Sequence, residues 1–192
     1  MFNILTAFGL AGASGLNAYI PLLMVALAAH YPLNDPLLKL AEPYNLIGSW
    51  WAIIILSVLL VIEMLVDKIP AVDTLNDGIQ TFIRPAAGAL LFAANANLIT
   101  DVHPAISLIA GLLVAGGVHT VKTTVRPVVT ASTAGTGNWA VSLMEDIAAF
   151  VMTLLAIFIP ILGAILLAIG IFFIMRFLHR RRRRNQLRFQ AK

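Results

Sequence analysis

Five apolar segments, at about residues 2–30, 47–67, 71–98, 104–129 and 139–178, take up most of this chain, with only short polar or proline-rich pieces such as YPLNDPLLKLAEPYN between them. A helical crossing of a bilayer core needs about 20 mainly apolar residues, so the chain has room for about six crossings and for no separate soluble domain. Composition agrees: of 192 residues 60% are hydrophobic and 11% charged, and the mean hydropathy is +0.92, whereas a soluble domain carries about 25% charged residues. The expected fold is an all-α integral membrane protein, with residues 1–192 as a single membrane domain. The last segment is too long for one crossing, since about 40 residues of straight helix run about 60 Å, twice the core. Its breaker is FIPILGA, with Pro160 and Gly163. Six crossings then return the carboxyl terminus to the side of the amino terminus.

The net charge of +4 is concentrated in the final RFLHRRRRRNQLRFQAK. Beside a terminal apolar helix, the Arg180–Arg184 run reads as an orientation signal and a contact for anionic lipid headgroups, not as a nucleic-acid patch. It places both termini in the cytoplasm and turns the 31–46 loop, with Asp35, Lys39 and Glu42, outward. No cysteine is present, which excludes disulfides and thiolate metal sites; no metal or cofactor is expected. The opening MFNILTAFGLAG lacks the basic start of a secretory signal and reads as a retained first membrane helix.

Two runs share the pattern x-T-x-[IV]-R-P: Gln80-Thr81-Phe82-Ile83-Arg84-Pro85 and Lys122-Thr123-Thr124-Val125-Arg126-Pro127. Two more share P-x-x-G-A-[LI]-L-x-A, from Pro85 and from Pro160. Such self-similarity points to a 3+3 inverted repeat with Gly/Pro-broken helices, its halves at about 1–100 and 101–178, followed by the basic tail 179–192. Composition alone also makes Ala, Gly, Leu and Pro recur.

GLAGASGLNAYIPLL, IEMLVDKIPAVDTLNDGIQTFIRPAAGALL and HTVKTTVRPVVTASTAGTGNWAVSLMEDIAAF resemble, in that order and across nearly the whole length, the bacterial membrane proteins grouped as domain-of-unknown-function family 4126. The third block is the most specific, with K-x-x-x-R, a small polar loop and S-L-x-E-D. The resemblance implies a multi-spanning membrane protein and supplies no activity.

Function therefore rests on the residues. A charge at mid-membrane costs about 2.5–3.5 kcal/mol on insertion scales, so charges there pair and face protein or water. Glu63 and Asp67 lie one helical turn apart, as do Asp73 and Asp77, and Lys122 and Arg126, with His119 on the last of these faces. Glu145 and Asp146 open the fifth segment. Asp67, Asp73 and Asp77 serve equally well as a solvated cytoplasmic turn, and the others as interhelical salt bridges. In GASGLN, with Ser14, Asn17 and then Pro21, the helix must break or pack very closely. TASTAGTGN, with Thr133 and Asn138, offers hydroxyls and N–H groups before the next helix, an anion-attracting terminus near Lys122 and Arg126; small residues also serve close helix packing.

The expected function is a small transporter or channel for an anionic polar solute or lipid headgroup, with proton coupling compatible. Lys122 and Arg126 hold the anion, with Arg84, His119, Ser14, Asn17, Thr133 and Asn138 as further binding candidates. Glu63, Asp67, Asp73, Asp77, Glu145 and Asp146 pair with the bases or carry protons. A homo-oligomer is compatible. The rivals are a membrane enzyme and a non-transporting scaffold subunit. Gly12-Ala13-Ser14-Gly15 resembles the G-x-S-G of rhomboid proteases, but the serine lies in the first segment and no H-x-x-x-N precedes it. Asp73-x-x-x-Asp77-Gly78 is similar to the acidic site of membrane phosphatidyl-alcohol transferases without meeting their D-G-x-x-A-R spacing. An enzyme is the less favoured class.

Overall fold

The computed structural model describes residues 2–66, 70–96, 103–133, 137–162, 165, 167–173 and 175–176. Every helix or strand among them is helical: α1 (Phe2–Leu16), α2 (Tyr19–His30), a 3-10 turn (Tyr44–Gly48), α3 (Trp50–Val66), α4 (Pro70–Ala96), α5 (Pro104–Thr133) and α6 (Asn138–Phe158). α5 and α6 are long and apolar enough to cross a membrane. Only 22% of the most apolar window in each is buried, which sets them apart from the core helices of a soluble protein.

The first apolar segment does not form the single crossing expected for residues 2–30. α1 runs antiparallel to α4, with the Phe8 ring 4.9 Å from that of Phe92 and Ser14 beside Gly88. α2 runs antiparallel to α3: Tyr19 lies near Glu63 and the His30 ring is 5.0 Å from Trp50. Because α3 and α4 are successive and antiparallel, with Glu63 on Arg84, α2 runs with α4 and against α1. The chain reverses at Asn17–Ala18, which are 1% and 0% exposed. At 15 and 12 residues the arms are about 22 and 18 Å long, short of the roughly 30 Å core. The even count of crossings that put both termini on one side therefore does not hold for this segment.

The expected break near Pro160 is present. α6 ends at Phe158, Ile159 leaves helical geometry at φ −137 and ψ 66, and helical residues resume at Pro160. The chain then turns back, since Leu167 lies against Gly12 while Ala156 lies against Gly9. Pro85 and Pro127 behave differently and sit inside continuous helices. The two P-x-x-G-A runs thus occupy unlike settings, one inside α4 and one opening a helix after a reversal.

α4 and α5 cross where small residues let the backbones touch. A Cβ on Gly88 would meet the Gly111 carbonyl and Ser14 Oγ, each at 2.9 Å. Around this crossing the polarity is inverted relative to a soluble protein. Arg84, Gln80, Glu63, His119, Lys122 and Arg126 are buried, while Trp51 is 76% and Phe82 79% exposed. The large apolar residues of α3, α5 and α6 point outward, and inside, the buried polar group lies beside an apolar core that includes Leu10, Leu22, Val25 and Leu91.

Candidate functional site

On α5 the buried residues are Ser107, Gly111, Ala115, His119, Lys122 and Arg126, spaced by three or four and so sharing one helical face. The small members admit α1 and α4, and the last three carry the chemistry. Between α5 and α6, Thr130, Arg126 and Lys122 build three polar rungs. At the exposed end Thr130 Oγ1 donates to Asn138 Oδ1 at 2.9 Å. Next, Arg126 Nη2 donates to Ser142 Oγ at 2.6 Å. Innermost, Lys122 Nζ lies 2.8 Å from Glu145 Oε2, with side chains 2% and 15% exposed.

The innermost rung meets the tip of the α1–α2 hairpin. Asn17 Oδ1 accepts from the backbone N–H of Tyr19 at 2.9 Å and of Ile20 at 3.0 Å, capping the start of α2. A continuous helix would instead direct the Ile20 N–H to the Leu16 carbonyl. That carbonyl, left over at the break, accepts from Lys122 Nζ at 3.1 Å. Asn17 Nδ2 donates to Asp146 Oδ1 at 2.9 Å, so both acids of S-L-x-E-D serve the tip.

A second cluster lies one turn further along. Arg84 Nη2 donates to Glu63 Oε1 at 3.2 Å, with both side chains 1% exposed. Arg84 Nη1 lies 3.3 Å from His119 Nδ1, and His119 Nε2 lies 3.1 Å from Thr81 Oγ1. A guanidinium only donates, so Nδ1 accepts and the imidazole carries its proton on Nε2, facing Thr81. Tyr19 hydrogen-bonds Gln80 above this group.

Of the residues expected at a site, the structure brings together Lys122, Arg126, Arg84, His119, Asn17, Glu63, Glu145 and Asp146. Ser14 is fully buried and donates to the Ala11 carbonyl at 2.8 Å, away from the charges. Thr133 bonds the Val129 carbonyl and the Gly137 N–H; with Asn138 it belongs to the α5–α6 turn at the mouth of the rungs. Asp67 and the basic run Arg180–Arg184 lie outside the described residues, as do the side chains of Asp73 and Asp77. Among the described residues no group of three metal-ligating side chains converges.

Four participants were not singled out from the sequence: Tyr19, Gln80, Thr81 and Ser142. Gln80 and Thr81 sit in the x-T-x-[IV]-R-P run, and Ser142 opens S-L-x-E-D, so position relative to a buried base was the available signal. The Leu16 carbonyl has no side-chain signal at all. Beside the tip, Leu16, Ala140, Val141, Met144, Glu145 and Ala148 line an outward-opening cleft of about 320 Å³, apolar except for Glu145.

The profile of the family described as domain of unknown function (DUF4126) matches residues 4–180. No curated protein and no solved structure matches the chain.

Proposed function

Since the chain belongs to the DUF4126 family, whose description carries no activity, we propose from geometry alone that it is a small integral membrane transporter for an anionic solute or lipid headgroup. One observation carries the reading: a re-entrant helical hairpin ends on a buried cluster of charges that reaches the surface along the α5–α6 rungs. A scaffold needs no such arrangement, because burying charge costs several kcal/mol per ion and apolar packing gives equal or better stability. Irregular backbone at membrane depth is tolerated where it lines a site or cavity, and transporters place substrate and coupling ions at such breaks.

In this reading the anion travels from the α5–α6 turn past Arg126 to Lys122 and takes the place of Ser142 and Glu145 as their partner. Glu145 then carries a proton or pairs with another cation. The apolar cleft beside Glu145 would accommodate an acyl chain, which keeps lipid headgroups within the substrate class. The outward apolar faces of α3, α5 and α6 meet lipid in the cytoplasmic membrane of a bacterium, with the α5–α6 turn on the cytoplasmic side. A serine-protease reading fits poorly, because Ser14 Oγ is engaged by Ala11 and both nitrogens of His119 by Arg84 and Thr81.

The test is flux in proteoliposomes, using inorganic phosphate as the soluble anion and fluorescent phosphatidylglycerol as the lipid-borne one. Wild type should move one of the two, and Lys122→Ala combined with Arg126→Ala should abolish that movement while remaining folded and inserted. Movement of neither probe by wild type, or undiminished movement by the double variant, removes the assignment.

A further inference from the structure

We infer that the hairpin tip is a seat for one monovalent inorganic cation, occupied in this structure by the Lys122 ammonium. The inference rests on the transport reading above and names its coupling ion.

The seat is made of oxygen. The Leu16 carbonyl is the last of α1, at the negative end of a helix, and is free for a ligand because Asn17 Oδ1 has taken the Tyr19 and Ile20 N–H groups. Glu145 adds a carboxylate, and a positive charge already sits between them: Lys122 Nζ is 3.1 Å from Leu16 O and 2.8 Å from Glu145 Oε2. Hydroxyl-free carbonyl and carboxylate oxygens suit a hard cation, and broken-helix carbonyls are where such ions bind in membranes.

Charge balance fixes the valence. Lys122 is the cation bonded to Glu145, while Asp146 stays on Asn17 and Arg126 on Ser142, so departure of Lys122 changes the local charge by one unit and takes from Glu145 its bonded cation. A single-charged ion restores neutrality, whereas a divalent one leaves an excess. If the incoming anion draws Lys122 away, anion and cation binding become mutually favourable, because each removes the cost the other would meet alone.

The inference is tested with purified Lys122→Met and Lys122→Gln variants, melted in sodium chloride and in choline chloride of equal ionic strength. Sodium should raise their Tm by about 3–5 °C at tenfold excess over Kd, magnesium should not reproduce the rise, and wild type should show none. Adding Glu145→Gln to Lys122→Met should abolish the shift. Equal melting in sodium and choline, or a shift that survives Glu145→Gln, overturns the inference. A protein that folds in sodium only supports it, and failure of both variants to fold in either salt overturns it. Flux is not read here, so the seat and the transport reading fail separately: loss of flux in wild type leaves this result standing, and absence of the sodium shift leaves anion movement intact.

Discussion

Arg84 is the largest side chain shielded completely from the surface, and its guanidinium bridges two helices, reaching Glu63 on α3 and His119 on α5. Such a pair adds little compared with good apolar packing, but breaking it by removing one partner leaves a buried charge and costs about 3–5 kcal/mol. Glu63→Gln should therefore lower Tm sharply, and Glu63→Gln with Arg84→Gln should recover part of the loss, as coupled residues do. Thermal unfolding of the two single variants and the double one measures it; additive losses would mean that the pair is not coupled. The charged members of this cluster were legible, because a glutamate and an arginine inside apolar runs stand out. Their pairing was not. Expectation set Glu63, Glu145 and Asp146 against the bases without assigning partners; in the structure Glu63 meets Arg84, Glu145 meets Lys122 and Asp146 accepts from Asn17. Residues four apart on one helix are equally good partners by spacing, and the rise of α6 past α5 decides between them.

Among the elements, the α1–α2 hairpin packs by Leu10, Ala18, Leu22 and Val25 and takes the geometry of its reversal from Asn17. Its carbonyl oxygen caps α2 and its amide donates to Asp146. Asn17→Ala loses both, at about 1 kcal/mol for the cap and about 1.5–3 kcal/mol for the hydrogen bond to the half-buried Asp146 carboxylate. Asn17→Asp keeps the cap but turns an acceptor toward the Asp146 carboxylate, so it should destabilise at least as much as Asn17→Ala at neutral pH. Wild-type melting of Asn17→Asp would show that the contact to Asp146 contributes nothing. The α4–α5 crossing gives a contrast within one residue type. Gly88→Ala pushes a methyl into Ala115 and the Gly111 carbonyl and should cost about 1–3 kcal/mol; Gly117→Ala meets nothing within 4 Å and should be neutral or better, since alanine is the stronger helix former. Equal melting of the two variants would show that this crossing is loose. GASGLN announced either a break or close packing, and both occur, with Gly15 against the Ala115 carbonyl and the break two residues on. The reversal itself was hidden because hydropathy sums along the chain and does not register direction when the apex is buried. The prolines of the repeated runs behave differently from one another: Pro160 follows a helix end, while Pro85 and Pro127 lie inside continuous helices.

For the molecule as a whole, composition announced an apolar exterior, and large apolar side chains of α3, α5 and α6 are exposed. The number of passes did not follow, because the first segment folds back on itself. The described helices do fix which loops share an end. The 31–48 connection packs at the carboxyl end of α4, where the Ala41 N–H donates to the Ala94 carbonyl at 3.0 Å. The α5–α6 turn lies at the opposite end, since α5 descends from Gly111 beside Phe92 to Lys122 beside Leu16 and then continues to Thr133. A membrane between these ends puts them in different compartments, and the chain has no cysteine to confuse a thiol reporter. Asp35→Cys and Ser132→Cys, both at exposed positions, should therefore label from opposite faces. With the arginine-rich tail held inside by the positive-inside rule, an impermeant maleimide on intact cells should mark Asp35→Cys and reach Ser132→Cys only after permeabilisation. Labelling of both from outside would mean that the helices do not separate two compartments, and the membrane reading would fail with it; labelling of Ser132→Cys alone would keep the spanning architecture and reverse its orientation, bringing the open end of the Arg126 and Lys122 rungs to the outer face.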